Sequence, residues 1–134
     1  MPIFSRRSLA SLRTCESVLV ELANEAIKVT DFTVICGHRG KKEQDEALAS
    51  GASSVRYPNS KHNKYPSHAF DFIPYPFPGW KSPSTVSRFT EVGQAIKEAW
   101  LRLPEAVRED WELSWGGDWR SFKDYPHIQV SKKK

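Results

Sequence analysis

Apolar residues recur at helical spacing in two long stretches of this chain, and short runs rich in β-branched and aromatic residues separate and follow them. The first stretch predicts a helix over about residues 5–28, and the second predicts a helix from Ser82-Pro83 to about residue 103. A shorter helix is predicted over 41–50, stopped by Gly51. The predicted strands are 32–36, 69–73, 111–115 and 127–130. This order predicts an α+β domain, in which a small and mostly antiparallel sheet carries helices packed on one side.

The length of 134 residues fits one compact domain. We expect it to span residues 1–134, with a core over about 5–130 and a solvated basic tail at 131–134. With 39% hydrophobic residues, the chain can bury a core without disulfides. Cys15 and Cys36 lack the Cys-x-x-Cys spacing, so we expect buried reduced thiols, with a disulfide or a structural zinc site as the alternative.

Hydropathy and net charge restrict the kinds of partner that we expect for this chain. The sequence has no apolar run long enough to span a membrane and no basic-then-apolar start. We therefore expect a protein made in the cytoplasm without its own export signal and without membrane insertion. The net charge of +4 suits an anionic polymer such as nucleic acid or bacterial cell wall. Nucleic acid is not expected as a partner, because there is no recognition motif and 16 acidic residues dilute the positive charge.

A long polar loop over residues 51–67 holds the first residue of a possible metal site. Loops of this length in small domains are usually functional or disordered. His62 lies in this loop, Asp71 lies in the strand that follows, and Asp124 precedes His127 by three residues near the C-terminus. Two histidines and a carboxylate can bind a hydrolytic zinc ion, and a second carboxylate can serve as its base. Each pair taken alone is also typical of hydrogen-bonded or surface residues.

A second histidine is an alternative to His62 as the metal ligand. His68 is only three residues from Asp71. If Asp71 points into the site from a strand, residues 69 and 73 share its face and residue 68 does not. We therefore prefer His62, with His68 as the alternative.

Several further residues are candidates for the walls of a cleft. Arg39, just after a predicted strand and Gly37, can bind a carboxylate or an oxyanion, or can be an ordinary solvated arginine. Gln44, one helical turn onward, can support the loop or lie on the surface. The segment Trp115 to Trp119 can form a cleft wall, or core aromatics around a tight glycine turn.

Six blocks carry a resemblance that covers most of the chain, from about Phe32 to Val130. The blocks are Gly37-His38-Arg39, Gln44, Ser60-Lys61-His62, Ala69-Phe70-Asp71, Trp115 to Trp119 and Asp124-Tyr125-Pro126-His127. In this order they resemble the zinc peptidases of bacterial cell walls. These are the D-alanyl-D-alanine dipeptidases and carboxypeptidases and, most closely, the phage L-alanyl-D-glutamate endopeptidases (endolysins). The His-to-Asp spacing is nine here and seven in many members, and Asp124 stands where many relatives have Glu.

The resemblance implies a D-Ala-D-Ala/hedgehog-type zinc peptidase fold, which is a small antiparallel sheet with helices. It implies that Zn2+ is bound by His62, Asp71 and His127. It implies that Asp124 is the general base and that Arg39 steadies the substrate or the transition state. Substrate contacts are expected for Arg39, Gln44, Ser60, Trp115 and Asp118.

The function expected from the resemblance is a zinc-dependent peptidoglycan peptidase that acts as a monomer. A phage-type endolysin that cleaves the L-Ala-D-Glu bond is preferred to a D-Ala-D-Ala carboxypeptidase, since a bare catalytic domain without an export signal suits a lysis enzyme released by a separate pore. A non-catalytic virion or cell-wall-binding domain of the same fold would be marked by lost ligands or a lost base. Here all four positions are filled.

Overall fold

A computed structural model describes residues 2–133, so that Met1 and Lys134, the two ends of the predicted domain, lie outside the described residues. The helices are α1 (Arg6–Leu12), α2 (Ser17–Ile27), α3 (Lys41–Ser50), α4 (Thr85–Arg102) and α5 (Glu105–Arg108). The strands are β1 (Phe32–Cys36), β2 (Ala69–Pro74), β3 (Trp111–Trp115) and β4 (His127–Lys132). Single turns of 3-10 helix cover Lys61–Asn63 and Gly116–Asp118.

The strands form one antiparallel sheet in the order β1-β2-β4-β3. This confirms the predicted class, a small antiparallel sheet with helices. Because side chains alternate between the two faces of a strand, β2 directs Phe70 and Phe72 to one face and Asp71 to the other. The first face is apolar and fully buried, and the second carries the polar groups described below.

Helices α2 and α4 supply the apolar side chains that cover the buried face. They pack against each other, and α4 also contacts β2 and β3. The fully buried members of this core include Leu19, Leu22 and Ala23 of α2, Val92 and Ile96 of α4, and Phe70, Phe72, Ile128 and Val130 of the sheet. Each large apolar side chain buried in this way contributes about 1.5–3 kcal/mol to folding. The polar face of the sheet is thereby held on a rigid support.

The helix predicted over 5–28 is interrupted by a turn. Within the turn, Cys15 bridges to Ser67 of the long loop. The Ser67 amide donates to the Thr14 carbonyl (2.7 Å), and the Ser67 carbonyl accepts from the Glu16 amide (3.0 Å). These tertiary bonds replace the hydrogen bonds of a continuous helix. The apolar periodicity continues across the turn because α1 and α2 both supply residues to the core, so the pattern alone does not reveal the break.

Two other boundaries differ from prediction. Helix α4 begins at Thr85 rather than at Ser82-Pro83, and the Thr85 hydroxyl donates to the Gly79 carbonyl. Lys132, placed in the predicted solvated tail, belongs to β4, and its ammonium lies 4.3 Å from the centre of the Trp111 ring. Pairing of β4 with β3 therefore orders the start of the basic tail.

Both cysteines are free thiols, as predicted. Burial raises the pKa of Cys15 to about 12, so this thiol stays protonated. Cys36 is only half-buried and lies on the polar face of the sheet. Within residues 2–133, no helix is both long and apolar enough to cross a membrane.

Candidate active site

Three neighbouring strands each bring one residue to the same point on the polar face of the sheet. Cys36 of β1 and His127 of β4 lie opposite Asp71 of β2. In β1 the register shifts between Val34 and Cys36. Without this bulge Ile35 would stand opposite Asp71, so the bulge places the thiol beside the carboxylate instead.

His62 reaches this point from the long loop. The Ser60 hydroxyl caps the 3-10 turn by accepting from the His62 amide (3.2 Å). The imidazole is 2% exposed, and its Nδ1–H donates to the Gly37 carbonyl (2.7 Å). This bond leaves Nε2 directed at Asp71 Oδ1, 3.2 Å away. The loop thus supplies a histidine whose free nitrogen faces the carboxylate.

His68, the alternative to His62 in the sequence, lies elsewhere. Its Nε2 is 3.7 Å from Glu16 Oε1, and its ring meets the edge of the Trp111 ring at 5.3 Å between centroids. The structure therefore brings His62, and not His68, to Asp71.

His127 presents its other nitrogen to the same carboxylate. Its Nε2–H donates to Gln129 Oε1 (2.8 Å), and its Nδ1 faces Asp71 Oδ1 at 3.4 Å. Gln129 lies two residues along β4 and therefore shares the face of His127. Sequence analysis missed Gln129, although its position two residues after a candidate ligand on a predicted strand was a usable signal.

The pKa values of Asp71 and His62 depend on their close neighbours in the site. Burial alone would raise its pKa, but hydrogen bonds from His127 and His62 hold the pKa of Asp71 below its usual range. Burial likewise opposes charge on His62, while hydrogen bonds to Asp71 and Cys36 raise the pKa of His62 to about 10. The surroundings therefore stabilise a positive charge between the imidazole and the carboxylate, whether carried by a proton or by a metal ion.

The distances from Asp71 to the two histidines match those between ligands of a tetrahedral metal ion. Asp71 Oδ1 lies 3.2 Å from His62 Nε2 and 3.4 Å from His127 Nδ1. A tetrahedral ion with bonds of about 2.0–2.1 Å to nitrogen and oxygen separates its ligands by about 3.3–3.4 Å. Two of the three separations therefore suit a divalent metal ion, and the two imidazoles would close around the ion from either side of Asp71.

Cys36 is a second neighbour of the same group. One ligand atom each from Cys36, His62 and Asp71 lie within 4.8 Å of one another. The thiol, however, lies 3.8 Å from His62 Nδ1, the nitrogen that already donates to the Gly37 carbonyl. This favours His127 over Cys36 as the third ligand beside His62 and Asp71.

Arg39 reaches the site from the loop after β1. Its Nη2 lies 3.5 Å from Asp71 Oδ2, and its Nη1 donates to Gln44 Oε1 (3.0 Å). Gln44 Nε2 donates in turn to the Ser53 hydroxyl (2.9 Å) and to the Val55 carbonyl (2.7 Å). Gln44 is fully buried, unlike the substrate contact predicted for it, because protein groups occupy both ends of its amide. It orients Arg39 and ties α3 to the long loop.

Asp124 offers the free carboxylate of the site. It lines the same cleft, and no hydrogen bond from the described residues reaches its side chain. Its backbone is positioned by a bond to the Gly116 carbonyl (3.0 Å) and by the bond that its own carbonyl accepts from the His127 amide (3.1 Å). Burial raises the pKa of Asp124. A carboxylate with a raised pKa and open oxygens is suited to general-base chemistry.

The cleft that contains these groups has a volume of about 960 Å3. This is at the upper end of the range for ligand sites, so it can hold more than a dipeptide. Ser60 lines it, as its predicted substrate contact requires. Five aromatic side chains also line it: Trp80, Phe89, Trp119, Phe122 and Tyr125. Sequence analysis singled out neither Trp80 nor Phe122, whereas Trp119 belongs to the segment that it offered as a possible cleft wall.

Trp115 and Asp118, two predicted substrate contacts, do not line the cleft. Trp115 is 3% exposed, and its indole N–H donates to the Tyr125 carbonyl (2.8 Å). A Cβ at Gly93 would lie 2.5 Å from its ring, so Trp115 packs directly on the backbone of α4. Asp118 pairs with Lys97 (2.8 Å). Trp115 is thus a core aromatic, and Asp118 holds the glycine turn against α4.

The glycine turn sets the position of Asp124, which yields a testable prediction. A Cβ at Gly116 would lie 2.0 Å from the Asp124 carbonyl oxygen. We expect Gly116→Ala to lower the free energy of unfolding by about 1–3 kcal/mol, because the backbone of the 124 segment must move away. Denaturant titration would measure this loss. Ser121→Ala, an exposed change in the same segment, is the control and is expected to stay within about 0.5 kcal/mol. Equal stability of the two variants would contradict the close approach.

Comparison with known proteins places this site in a family. Residues 2–132 match the sequence model of the family described as phage L-alanyl-D-glutamate peptidase. The chain is 30% identical over 138 residues to the peptidoglycan L-alanyl-D-glutamate endopeptidase CwlK of Bacillus subtilis (strain 168), which covers 97% of this chain and 77% of CwlK. It also resembles the crystal structure of the L-Ala D-Glu endopeptidase ChiX of Serratia marcescens. That match has a TM-score of 0.72 and 26% identity, and it covers 96% of this chain and 89% of ChiX.

Proposed function

Since the chain belongs to the phage L-alanyl-D-glutamate peptidase family and is a hydrolytic peptidase, we propose that it cleaves the L-Ala-D-Glu bond of peptidoglycan stem peptides with the help of zinc. The observation that carries the zinc assignment is the pair of short distances from Asp71 Oδ1 to His62 Nε2 and His127 Nδ1. Two imidazoles and one carboxylate with a free cleft on the fourth side form the ligand set of a catalytic zinc site.

Hydrogen bonds to neighbouring groups orient the two histidine ligands. The Gly37 carbonyl and Gln129 each accept the N–H of one histidine, so the other nitrogen of each imidazole faces the site and could bind a metal ion once it is deprotonated. To act as a ligand, His62 would have to give up the proton at Nε2, because only the neutral imidazole binds a metal ion. Availability decides between zinc and other divalent ions with this ligand set, and zinc is our assignment from the family.

The proposed mechanism assigns one task to each residue. When bound, zinc supplies Lewis-acid chemistry that polarises the scissile carbonyl and acidifies water. Asp124 takes a proton from the attacking water as its oxygen bonds to the carbonyl carbon of L-Ala. Asp124 then delivers that proton to the nitrogen of D-Glu as the C–N bond breaks, which leaves a carboxylate and an amine. Arg39 donates to the developing oxyanion.

Arg39 must change partner to play that part. Its guanidinium is 3.5 Å from Asp71 Oδ2, which is longer than a strong charge-assisted hydrogen bond. The buried amide of Gln44 holds Nη1, so that Nη2 is the donor that remains available to the substrate. The oxyanion would therefore receive a donor that is already oriented.

The identity of the cleaved bond is tested by digestion. Purified peptidoglycan incubated with the protein and zinc is expected to release new N-terminal D-Glu, detected by labelling of amines and mass spectrometry. Release of D-Ala instead would assign the chain to the alternative reading, a D-Ala-D-Ala carboxypeptidase. The absence of any new terminus from the zinc-loaded protein would favour the non-catalytic binding domain.

The biological setting is also part of the proposal. A peptidase of this family is suited to lysis from within a host cell, acting on the wall after a separate pore has let it through. The positive net charge of +4 supports attraction to an anionic wall polymer.

We propose that the protein acts as a monomer, since His62, Asp71, Asp124 and His127 line one cleft together and this set needs no residue from a second copy.

Gln129 provides a test of the ligand arrangement. We expect Gln129→Ala to weaken zinc binding about 10- to 100-fold, because His127 loses the acceptor that keeps Nδ1 facing the site. Gln129→Glu keeps an acceptor and is expected to retain the affinity. Competition with a chromogenic chelator measures both dissociation constants. An unchanged constant for Gln129→Ala would mean that Gln129 does not orient His127.

A further inference from the structure

An indole ring is left exposed at the edge of the cleft. Trp80 is 60% exposed and lines the same cleft as His62 and Asp124. Water contact with so much apolar surface is unfavourable, and an aromatic ring in the wall of a cleft is suited to contact with a ligand. The proposed reaction assigns no role to this ring.

Trp80 is not a loosely held side chain. Its ring stacks on Phe89 of α4 (5.6 Å between centroids, 19° between planes) and meets the edge of Phe77 (5.0 Å, 73°). The loop that carries it is fastened to α4, because the Thr85 hydroxyl donates to the Gly79 carbonyl. One face of the indole is therefore buried on α4, and the other face is a rigid platform that costs little conformational entropy to use.

The platform is connected to the reacting groups. Phe89, on which Trp80 stacks, also contacts Tyr125 at 6.4 Å between centroids. Tyr125 is the residue that follows Asp124, so the same aromatic cluster supports the platform and the segment of the proposed base. A ligand group on Trp80 would lie in the same cleft as the scissile bond.

The chemistry of the substrate narrows the identity of that group. The stem peptide begins with L-Ala and D-Glu, which carry a methyl group and charged or amide groups, and none of these has an extended apolar face. The sugar rings of the glycan do have such a face, made of axial C–H groups. These C–H groups carry partial positive charge and are attracted to the negative face of an aromatic ring. The sugar that bears the stem peptide is joined to the amino group of L-Ala, one residue from the bond to be cut.

We propose that Trp80 binds the N-acetylated sugar that carries the stem peptide, by stacking against the face of its pyranose ring. This inference rests on the proposed function, since it specifies which part of peptidoglycan the cleft recognises. The enzyme would then favour stem peptides still attached to glycan over free peptides.

The test compares two substrates that differ only in the sugar. One is a disaccharide-peptide muropeptide, and the other is the same peptide after an amidase has removed the sugar. The ratio of kcat/KM for the first to kcat/KM for the second is expected to fall up to about tenfold in Trp80→Ala, the loss expected from one aromatic contact. Trp80→Phe keeps an aromatic face and is expected to show a smaller fall.

Tyr75→Ala is the matched control. Tyr75 is 59% exposed on the same loop but does not line the cleft. We expect its ratio to equal that of wild type. A ratio in Trp80→Ala equal to that of wild type, with or without a parallel loss on both substrates, would overturn the proposal, because the ring would then not distinguish the sugar.

A binding measurement separates this inference from the proposed reaction. The free disaccharide is titrated into wild-type protein while the indole N–H signals are followed by NMR, and the signal absent from Trp80→Phe identifies Trp80. A saturable shift of that signal is expected even if the protein cuts neither peptide, in which case only the proposed reaction would fail. No shift, together with normal cleavage of both peptides, would overturn the sugar platform alone.

Discussion

Asp124→Asn is expected to keep about one metal ion per chain and to lose peptidoglycan cleavage by about 100- to 10,000-fold, the range for removal of a general acid-base group. The amide has the shape of the carboxylate but cannot accept a proton from water. The metal should remain, because the proposed ligands are His62, Asp71 and His127, and no hydrogen bond among the described residues joins the Asp124 side chain to them. Elemental analysis and turbidity loss of a peptidoglycan suspension, measured on the same samples, check both parts.

Asp118→Asn is the matched control for this result. Asp118 lies in the neighbouring turn, but its carboxylate pairs with Lys97 outside the cleft. Its substitution is expected to leave both metal content and cleavage close to wild type. Full activity of Asp124→Asn would remove Asp124 from the mechanism, whereas loss of metal in that variant would make it a ligand instead of a base.

Asp71→Asn is expected to abolish both metal binding and cleavage. Asp71 Oδ1 faces both histidines and Oδ2 faces Arg39, so one substitution removes the negative charge that holds three groups together. Loss of a direct ligand should weaken metal binding by more than the roughly 10- to 100-fold caused by changes behind the ligands. Chelator competition and elemental analysis after dialysis measure this effect.

A surface carboxylate serves as the control for charge. Asp45 pairs with Lys41 on the exposed side of α3, and Asp45→Asn also removes one negative charge from the protein. It should bind metal like wild type. If Asp71→Asn kept one tightly bound metal ion, the metal would have to be held by another set, and Cys36 with His62 would be the first candidates.

The elements of the fold followed from local patterns. Strand β1 and helix α3 have the predicted bounds, and Gly51 ends α3 in the left-handed conformation (φ 82°) that favours glycine. Alternation along β2 also predicted correctly that Asp71 and residue 68 face different ways. In contrast, the break between α1 and α2 came from bonds to Ser67, more than fifty residues away, which no local pattern reports.

The candidate site was predictable only in part, for the same reason. His62, Asp71, Asp124 and His127 could be named because their spacing resembles a family. Support of the loop by Gln44 was one of two alternatives that the sequence left open, and only the structure decides between them, since the burial of Gln44 depends on the loop that closes over it.

The roles of Trp80 and Gln129 depend on contacts that form only when the chain folds. Trp80 stacks on α4, and Gln129 receives the His127 N–H. The local sequence does not distinguish Trp80 from an ordinary aromatic side chain, and it places Gln129 on the face of His127 without showing that the two side chains are bonded.

Local patterns predicted the four strands, most of the helices and the residue types able to bind metal, because propensity, periodicity and ligand chemistry are local properties. The tertiary structure decided which histidine meets Asp71, which nitrogen each imidazole presents and which aromatic rings line the cleft. Those outcomes depend on strand register, on a single bulge in β1 and on buried hydrogen bonds between distant segments. Such contacts arise only when the core has packed and placed both segments at once.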